Sequence, residues 1–146
     1  MKEIKRQARV HWTGDLGSGR GQTTTESKVL DGEIYSVASR FENGSGTNPE
    51  ELIAAAQASC FSMMLAKILG DQKKSIEQID TNATVVMRQE NGGAKISELH
   101  LRTEAKVIGM NAYEFQKAAE EAKENCPVSM LLKPGLEKIT LEAKLA

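Results

Sequence analysis

The segment that most limits how this chain can fold is Thr47–Gly70, TNPEELIAAAQASCFSMMLAKILG. Its start carries three helix signals. Asn48 is a capping residue, Pro49 suits the first helical position, and Glu51 stands three residues after the cap, as in a capping box. The pattern predicts a helix of about 22 residues, roughly 33 Å long. Leu52, Ile53, Ala54, Ala55, Ala56, Ala58, Phe61, Met63, Met64, Leu65, Ile68 and Leu69 point in every direction around it. A helix apolar all round is expected to be buried all round. A chain of 146 residues reads as one domain, residues 1–146, and buries roughly 68–70% of its unfolded surface. That is too little to wrap such a helix completely, so a second copy in a two-fold homodimer is the economical cover. Gln57, Ser59, Ser62 and Lys67 interrupt the run, and on that ground it is expected to fall short of a membrane span.

The rest of the chain alternates strand patterns with one more helix. Ala8, Val10 and Trp12 lie on one face of a strand, expected to be half-buried. The glycines of GDLGSGRG make a loop, and QTTTES and EIYSVASRF have strand character on either side of a turn at Gly32. Beyond the long helix, IDTNATVVM and LHLRTEAKV alternate around the turn signal ENGGAK, which predicts a hairpin. Leu99, Leu101, Thr103, Ala105 and Val107 share one of its faces. Asn111 and Glu114 mark a second helix as cap and box partner, with Met110 and Phe115 placed as a hydrophobic staple. Its stripe of Phe115, Ala119 and Ala122 extends to Cys126, and Pro127 ends it or starts a new turn. KITLEAKLA closes the chain as a further strand. The expected class is α+β with largely antiparallel pairing.

Composition excludes several functions. Nineteen basic and twenty acidic side chains give a net charge of −1, which provides no basic field for nucleic acid. The N-terminus lacks the apolar middle of a signal peptide, so a cytoplasmic location is the default. His11 and His100 come without CxxC or HxxxH spacing, and GSGRG precedes a strand rather than a helix; neither makes a metal or phosphate site. No nucleophile motif of a serine hydrolase is present. Two cysteines remain, Cys60 and Cys126. In a reducing compartment they are either buried small hydrophobes or a reactive dithiol. A dithiol needs their Cα atoms within ~7 Å and something to favour the thiolate. Cys60 lies about three turns into its helix, beyond the reach of the dipole, so its activation has to come from a side chain brought by the fold. Cys126, beside Pro127, is placed to feel the free N–H groups of a new turn, and local physics favours it as the more acidic thiol.

TNPEELIAAAQASCFSMML together with NCPVSMLLK resembles the OsmC/Ohr family of osmotically inducible and organic-hydroperoxide-resistance proteins. The likeness extends to VHWTGDLGSGRGQTTTES, SRFENGSGTNPEEL and ITLEAKL and so spans nearly the whole chain. It implies an intertwined homodimer with antiparallel sheets around two long central helices. It also implies a thiol-dependent peroxidase without haem, flavin or metal. Carried onto this sequence, Cys60 is the peroxidatic and Cys126 the resolving cysteine, and Arg40 and Glu50 are the activating pair. Glu50 rather than Glu51 is free for that role, because Glu51 serves the capping box. The Ohr branch takes its arginine from the Gly-rich loop, which here carries Arg20. Arg40, within SRFENGSGTNPEEL as in the OsmC branch, is the candidate and Arg20 the alternative. The implied substrate is an organic hydroperoxide, in a pocket drawn from Phe61, Met63, Met64 and Leu65. The implied reductant is an external dithiol of lipoyl type. Two other functions compete: a thiol–disulfide exchange enzyme, which the absence of CxxC spacing disfavours, and a non-enzymatic binding or stress protein with structural cysteines.

Overall fold

The computed structural model describes residues 1–146. They form two compact units, Met1–Leu52 and Ile53–Ala146.

The first unit is a three-stranded antiparallel sheet of β1 (Ala8–Thr13), β2 (Arg20–Thr25) and β3 (Glu33–Tyr35), followed by a short helix α1 (Val37–Phe41). Trp12, Gly21 and Tyr35 lie opposite one another across the three strands. The two rings meet edge-on over the glycine at 5.7 Å between centroids, and a Cβ at Gly21 would collide with the Tyr35 ring. Ala8 and Val10 of β1 are exposed and only Trp12 is half-buried, so the expected half-buried face is not formed in this unit.

EIYSVASRF is a strand only to Tyr35. Ser36 and Ser39 then cap a helical turn reciprocally. The Ser39 N–H donates to Ser36 Oγ at 3.2 Å and the Ser36 N–H to Ser39 Oγ at 2.8 Å. A serine three residues after a serine supplies this box as well as Glu or Gln does, and it overrides the β-character of Val37. The Ser39 hydroxyl also reaches the Thr47 carbonyl at 2.8 Å, and Asn48 Nδ2 donates to the Ser39 carbonyl at 3.2 Å. Helix α1 is thereby tied to the start of the long helix.

That helix, α2, runs Pro49–Asp71. Asn48 Oδ1 accepts the Glu51 N–H at 2.8 Å, as expected of the cap. The Glu51 carboxylate instead accepts from the Thr47 hydroxyl at 2.8 Å, which leaves the box half made. By length and composition α2 does meet the requirement of a membrane span, with 23 residues and a mean hydropathy of 1.6 over an 18-residue stretch. This corrects the expectation that its polar residues disqualify it: one lysine near the end and a few small hydroxyls cost too little hydropathy. In this fold Phe61, Leu65, Ile68 and Leu69 join the core of the second unit.

The remaining elements are β4 (Ser75–Glu90), β5 (Gly93–Ile108), α3 (Ala112–Asn125), α4 (Pro127–Leu132), a 3-10 turn (Lys133–Gly135) and β6 (Lys138–Leu145). β4 and β5 form the expected hairpin through Asn91 and Gly92, at φ 54° and 76°. β6 pairs with β5 in parallel, a departure from the antiparallel sheets expected. The chain crosses back over the sheet through α3 and α4, and such a crossover returns a strand in the same direction. The alternation of β5 works as read: Leu99, Leu101, Thr103 and Ala105 are all buried and meet α2 and the Phe115–Ala119–Ala122 stripe of α3 in one core. Asn111 Oδ1 caps α3 by accepting the Glu114 N–H at 2.8 Å. On the outer side of the sheet both ring nitrogens of His100 are engaged, with Thr140 Oγ1 at 2.6 Å and Glu98 Oε1 at 3.1 Å.

Candidate active site

The second unit brings the two cysteines together. Cys60 comes from the middle of α2. Cys126 is both the last cap of α3 and the first cap of α4, because the Cys126–Pro127 junction ends one helix and starts the next. Their thiols are within hydrogen-bonding range of each other, and both are reduced. Cys126 is fully buried, whereas Cys60 is partly open to solvent.

Burial pushes the Cys60 thiol above the ordinary value, and the hydrogen bond with Cys126 adds to the rise. The backbone N–H of Val128 opposes both by donating to the sulfur. Val128 is the second residue of α4, after a proline that has no N–H to offer, so it carries the first available donor of the new turn. Within this unit nothing cationic bears on the thiol.

Arg40 and Glu50 meet in the first unit. Arg40 Nη2 donates to Glu50 Oε1 at 2.8 Å, and Nε donates to Oε1 at 3.1 Å and to Oε2 at 3.3 Å. This is the two-pronged geometry in which Arg surpasses Lys. The Glu50 side chain is 11% exposed and that of Arg40 36%, so the carboxylate is the buried anchor and the guanidinium the open end. The hydrogen bonds it donates to Glu50 hold Arg40 more firmly protonated than a free arginine, against a smaller opposing effect of burial. The guanidinium also lies 5.2 Å from the Phe41 ring centroid. Because Nε and Nη2 are the atoms engaged, the Nη1 edge faces away from the pair. Arg20 opens β2 opposite Thr13 and is exposed.

Two polar residues beside the cysteines escaped the sequence reading. Gln57, one turn before Cys60, and Ser129, one turn after Cys126, are buried and bonded, with Nε2 donating to Oγ at 2.7 Å. In sequence Gln57 registers only as an interruption of an apolar helix. That interruption was the available signal, since a polar residue inside such a helix needs a buried partner. Of the residues expected to line a pocket, Phe61 and Leu65 are fully buried in the core, Met64 is half-buried against it and Met63 is exposed. An apolar slot of about 140 Å³ opens instead between Ile53, Val85, Ile96, Leu132 and Leu136.

Residues 42–141 match the family described as OsmC-like protein. The chain is 42% identical to Peroxiredoxin OsmC of Escherichia coli K12, over 97% of each sequence. It is 30% identical to organic hydroperoxide resistance protein OhrB of Bacillus subtilis, over 88% of this chain and 92% of that one. Among solved structures, an organic hydroperoxide resistance protein from Elizabethkingia anophelis superimposes with a TM-score of 0.67 at 26% identity, over 98% of this chain and 99% of the other. An OsmC-like protein from Mycoplasma pneumoniae reaches 0.75 at 14% identity, covering 99% of both chains.

Proposed function

Since this chain belongs to the OsmC family, we propose that it is a thiol-dependent peroxidase that reduces organic hydroperoxides to alcohols, with residues 1–146 acting as one domain. The observation that carries this reading is the contact of two reduced cysteines from different helices, with a backbone N–H on the partly open one. Two core cysteines need neither the contact nor the N–H.

The chemistry follows from those positions. The Cys60 thiolate attacks the hydroxyl oxygen of the hydroperoxide, the O–O bond breaks, and the alkoxide leaves and takes a proton to become the alcohol. Sulfur has lost two electrons and is now sulfenic acid. Cys126 attacks Cys60 Sγ, hydroxide leaves with a proton as water, and a Cys60–Cys126 disulfide remains. An external dithiol, of lipoyl type by family likeness, reduces it by exchange. Arg40 is the cation that favours the Cys60 thiolate and orients the peroxide oxygens, and Glu50 fixes it. The apolar slot beside Ile53 suits an alkyl group better than water and so favours organic hydroperoxides. The active form is a homodimer, supported by the exposed face of α2, where Ala55, Ala56, Ser59 and Met63 are uncovered. A cytoplasmic, reducing location would keep both thiols ready.

One equivalent of cumene hydroperoxide added to reduced protein is expected to remove two thiols and yield a Cys60–Cys126 link by mass spectrometry. Survival of both thiols would end the peroxidase reading in favour of structural cysteines. The arginine has its own test. Burial and Cys126 push the Cys60 thiol up, so without a nearby cation its alkylation by iodoacetamide should climb steadily with pH into the alkaline range. In wild type the profile is expected to level off at lower pH, and in Arg40→Met the midpoint should move upward. Coincident profiles would remove Arg40 from the site, and an upward shift in an Arg20→Met variant would transfer the role to Arg20.

A further inference from the structure

Gln57 is the one buried polar side chain whose hydrogen bonding is incomplete. It is 0% exposed, its Nε2 is bonded to Ser129 Oγ at 2.7 Å, and its Oε1 has no partner. Leaving a buried acceptor unpaired costs about 1–3 kcal/mol, and such exceptions mark strain or chemistry. The location is informative. Residues three apart on a helix share a face, and side chains lean toward the helix N-terminus, so the Cys60 side chain tilts toward the turn that carries Gln57. Across from them, Cys126 and Ser129 are likewise three apart, on the segment that begins α4. The contacts Gln57–Ser129 and Cys60–Cys126 are therefore adjacent rungs between the same two elements. The Val128 N–H on Cys60 lies between the two residues of the second rung.

We propose that Gln57 positions the resolution step: its amide N–H grips Ser129 and holds the α4 segment, while its free Oε1 accepts the hydroxyl of the Cys60 sulfenic acid. This rests on the peroxidase reading above. In the reduced state Cys60 carries no strong donor for Oε1. When the thiolate has taken the hydroxyl group from the peroxide, an O–H donor stands on Sγ, one helical turn from the waiting carbonyl. An arginine cannot accept that hydrogen bond, and Gln57 can. Held there, the S–O bond points along α2 and the opposite side of Sγ stays open to Cys126. Attack then forms the S–S bond, breaks the S–O bond and releases the hydroxyl as water. A sulfenic acid not so held rotates freely and meets a second peroxide, giving sulfinic acid.

The test uses full-length reduced protein, cumene hydroperoxide and dimedone as the sulfenic acid trap. The principal variant is Gln57→Leu/Ser129→Ala. Removing both partners at once leaves neither group of this pair buried and unbonded, so packing and melting temperature should stay near those of wild type. A purely structural Gln57 predicts that this double variant resolves normally. The proposal predicts that the first thiol is lost within about threefold of the wild-type rate while disulfide formation slows about tenfold or more. The dimedone adduct on Cys60 should become the main product, and excess peroxide should yield sulfinic acid. Gln57→Met, a single change of similar shape, should do the same if the double variant does not fold. Disulfide formation at the wild-type rate in the folded variant, or equal slowing of both steps, overturns the assignment of Gln57. A wild-type protein that loses no thiol to peroxide overturns the peroxidase reading itself, a result distinct from either.

Discussion

Cys60→Ser is expected to lower hydroperoxide consumption by about three orders of magnitude or more, the usual scale for deleting a nucleophile. Cys126→Ser is expected to complete a single turnover and stop at the sulfenic acid. The asymmetry follows from where the sulfurs lie. Cys60 is partly open and receives the Val128 N–H, whereas Cys126 is buried behind it. On the proposed reading, peroxide reaches the first sulfur and the second attacks only what forms there. Serine at position 60 keeps the shape of the site but offers a hydroxyl that stays protonated. At position 126 it leaves the attacking thiolate intact and removes its resolver, so the Cys60 adduct with dimedone should accumulate in stoichiometric amount. The measurement is peroxide loss with a dithiol present, paired with intact mass. Comparable residual turnover in both variants would mean that neither thiol is the reaction centre, and the structural-cysteine alternative would stand. Full disulfide exchange activity without peroxide turnover would favour the exchange enzyme.

Elements with local signals were legible. Asn48 and Asn111 make the helix caps their spacing announces, and Asn91–Gly92 turns the hairpin, because each is decided within a few residues. Three features were decided farther away. The serine box at Ser36 turned an apparent strand into helix through hydroxyl bonds that any Ser-rich strand could imitate. The parallel pairing of β6 depends on the path through α3 and α4, not on the alternation of KITLEAKL, which reads the same in either direction. The bearing of the Val128 N–H on Cys60 depends on how α4 leaves Pro127. Sequence physics located free N–H groups after Cys126, and the one on Val128 bears on Cys60 as well. The Arg40–Glu50 pairing came from family resemblance, and ten positions of separation across a loop gave no independent hint of its two-pronged geometry. Gln57 was seen but read as noise in an apolar pattern, because a sequence does not show which polar residue will be buried.

The long helix poses the last quantitative question. Met63 is 76% exposed at the middle of α2, and Ala55, Ala56 and Ser59 are exposed on the turns before it. Small residues along such a stripe let a second helix approach closely, and a lone large apolar side chain at its end supplies an anchor. If a second copy covers the stripe, Met63→Glu places a carboxylate into the interface twice, once from each protomer, with no partner in the stripe. Uncompensated charge in a buried site costs about 3–5 kcal/mol, or roughly two to three and a half orders of magnitude in dissociation constant. Sedimentation equilibrium over a range of micromolar concentrations should then show a wild-type dimer and a Met63→Glu monomer with unchanged secondary structure. A wild-type monomer would mean that α2 keeps this face in solvent. A dimer that tolerates the glutamate would place the two-fold contact elsewhere. The dimer result carries a functional corollary. An apolar helix that needs a second copy to cover it ties folding of the cysteine-bearing element to assembly, so loss of the dimer by Met63→Glu should also weaken peroxide turnover.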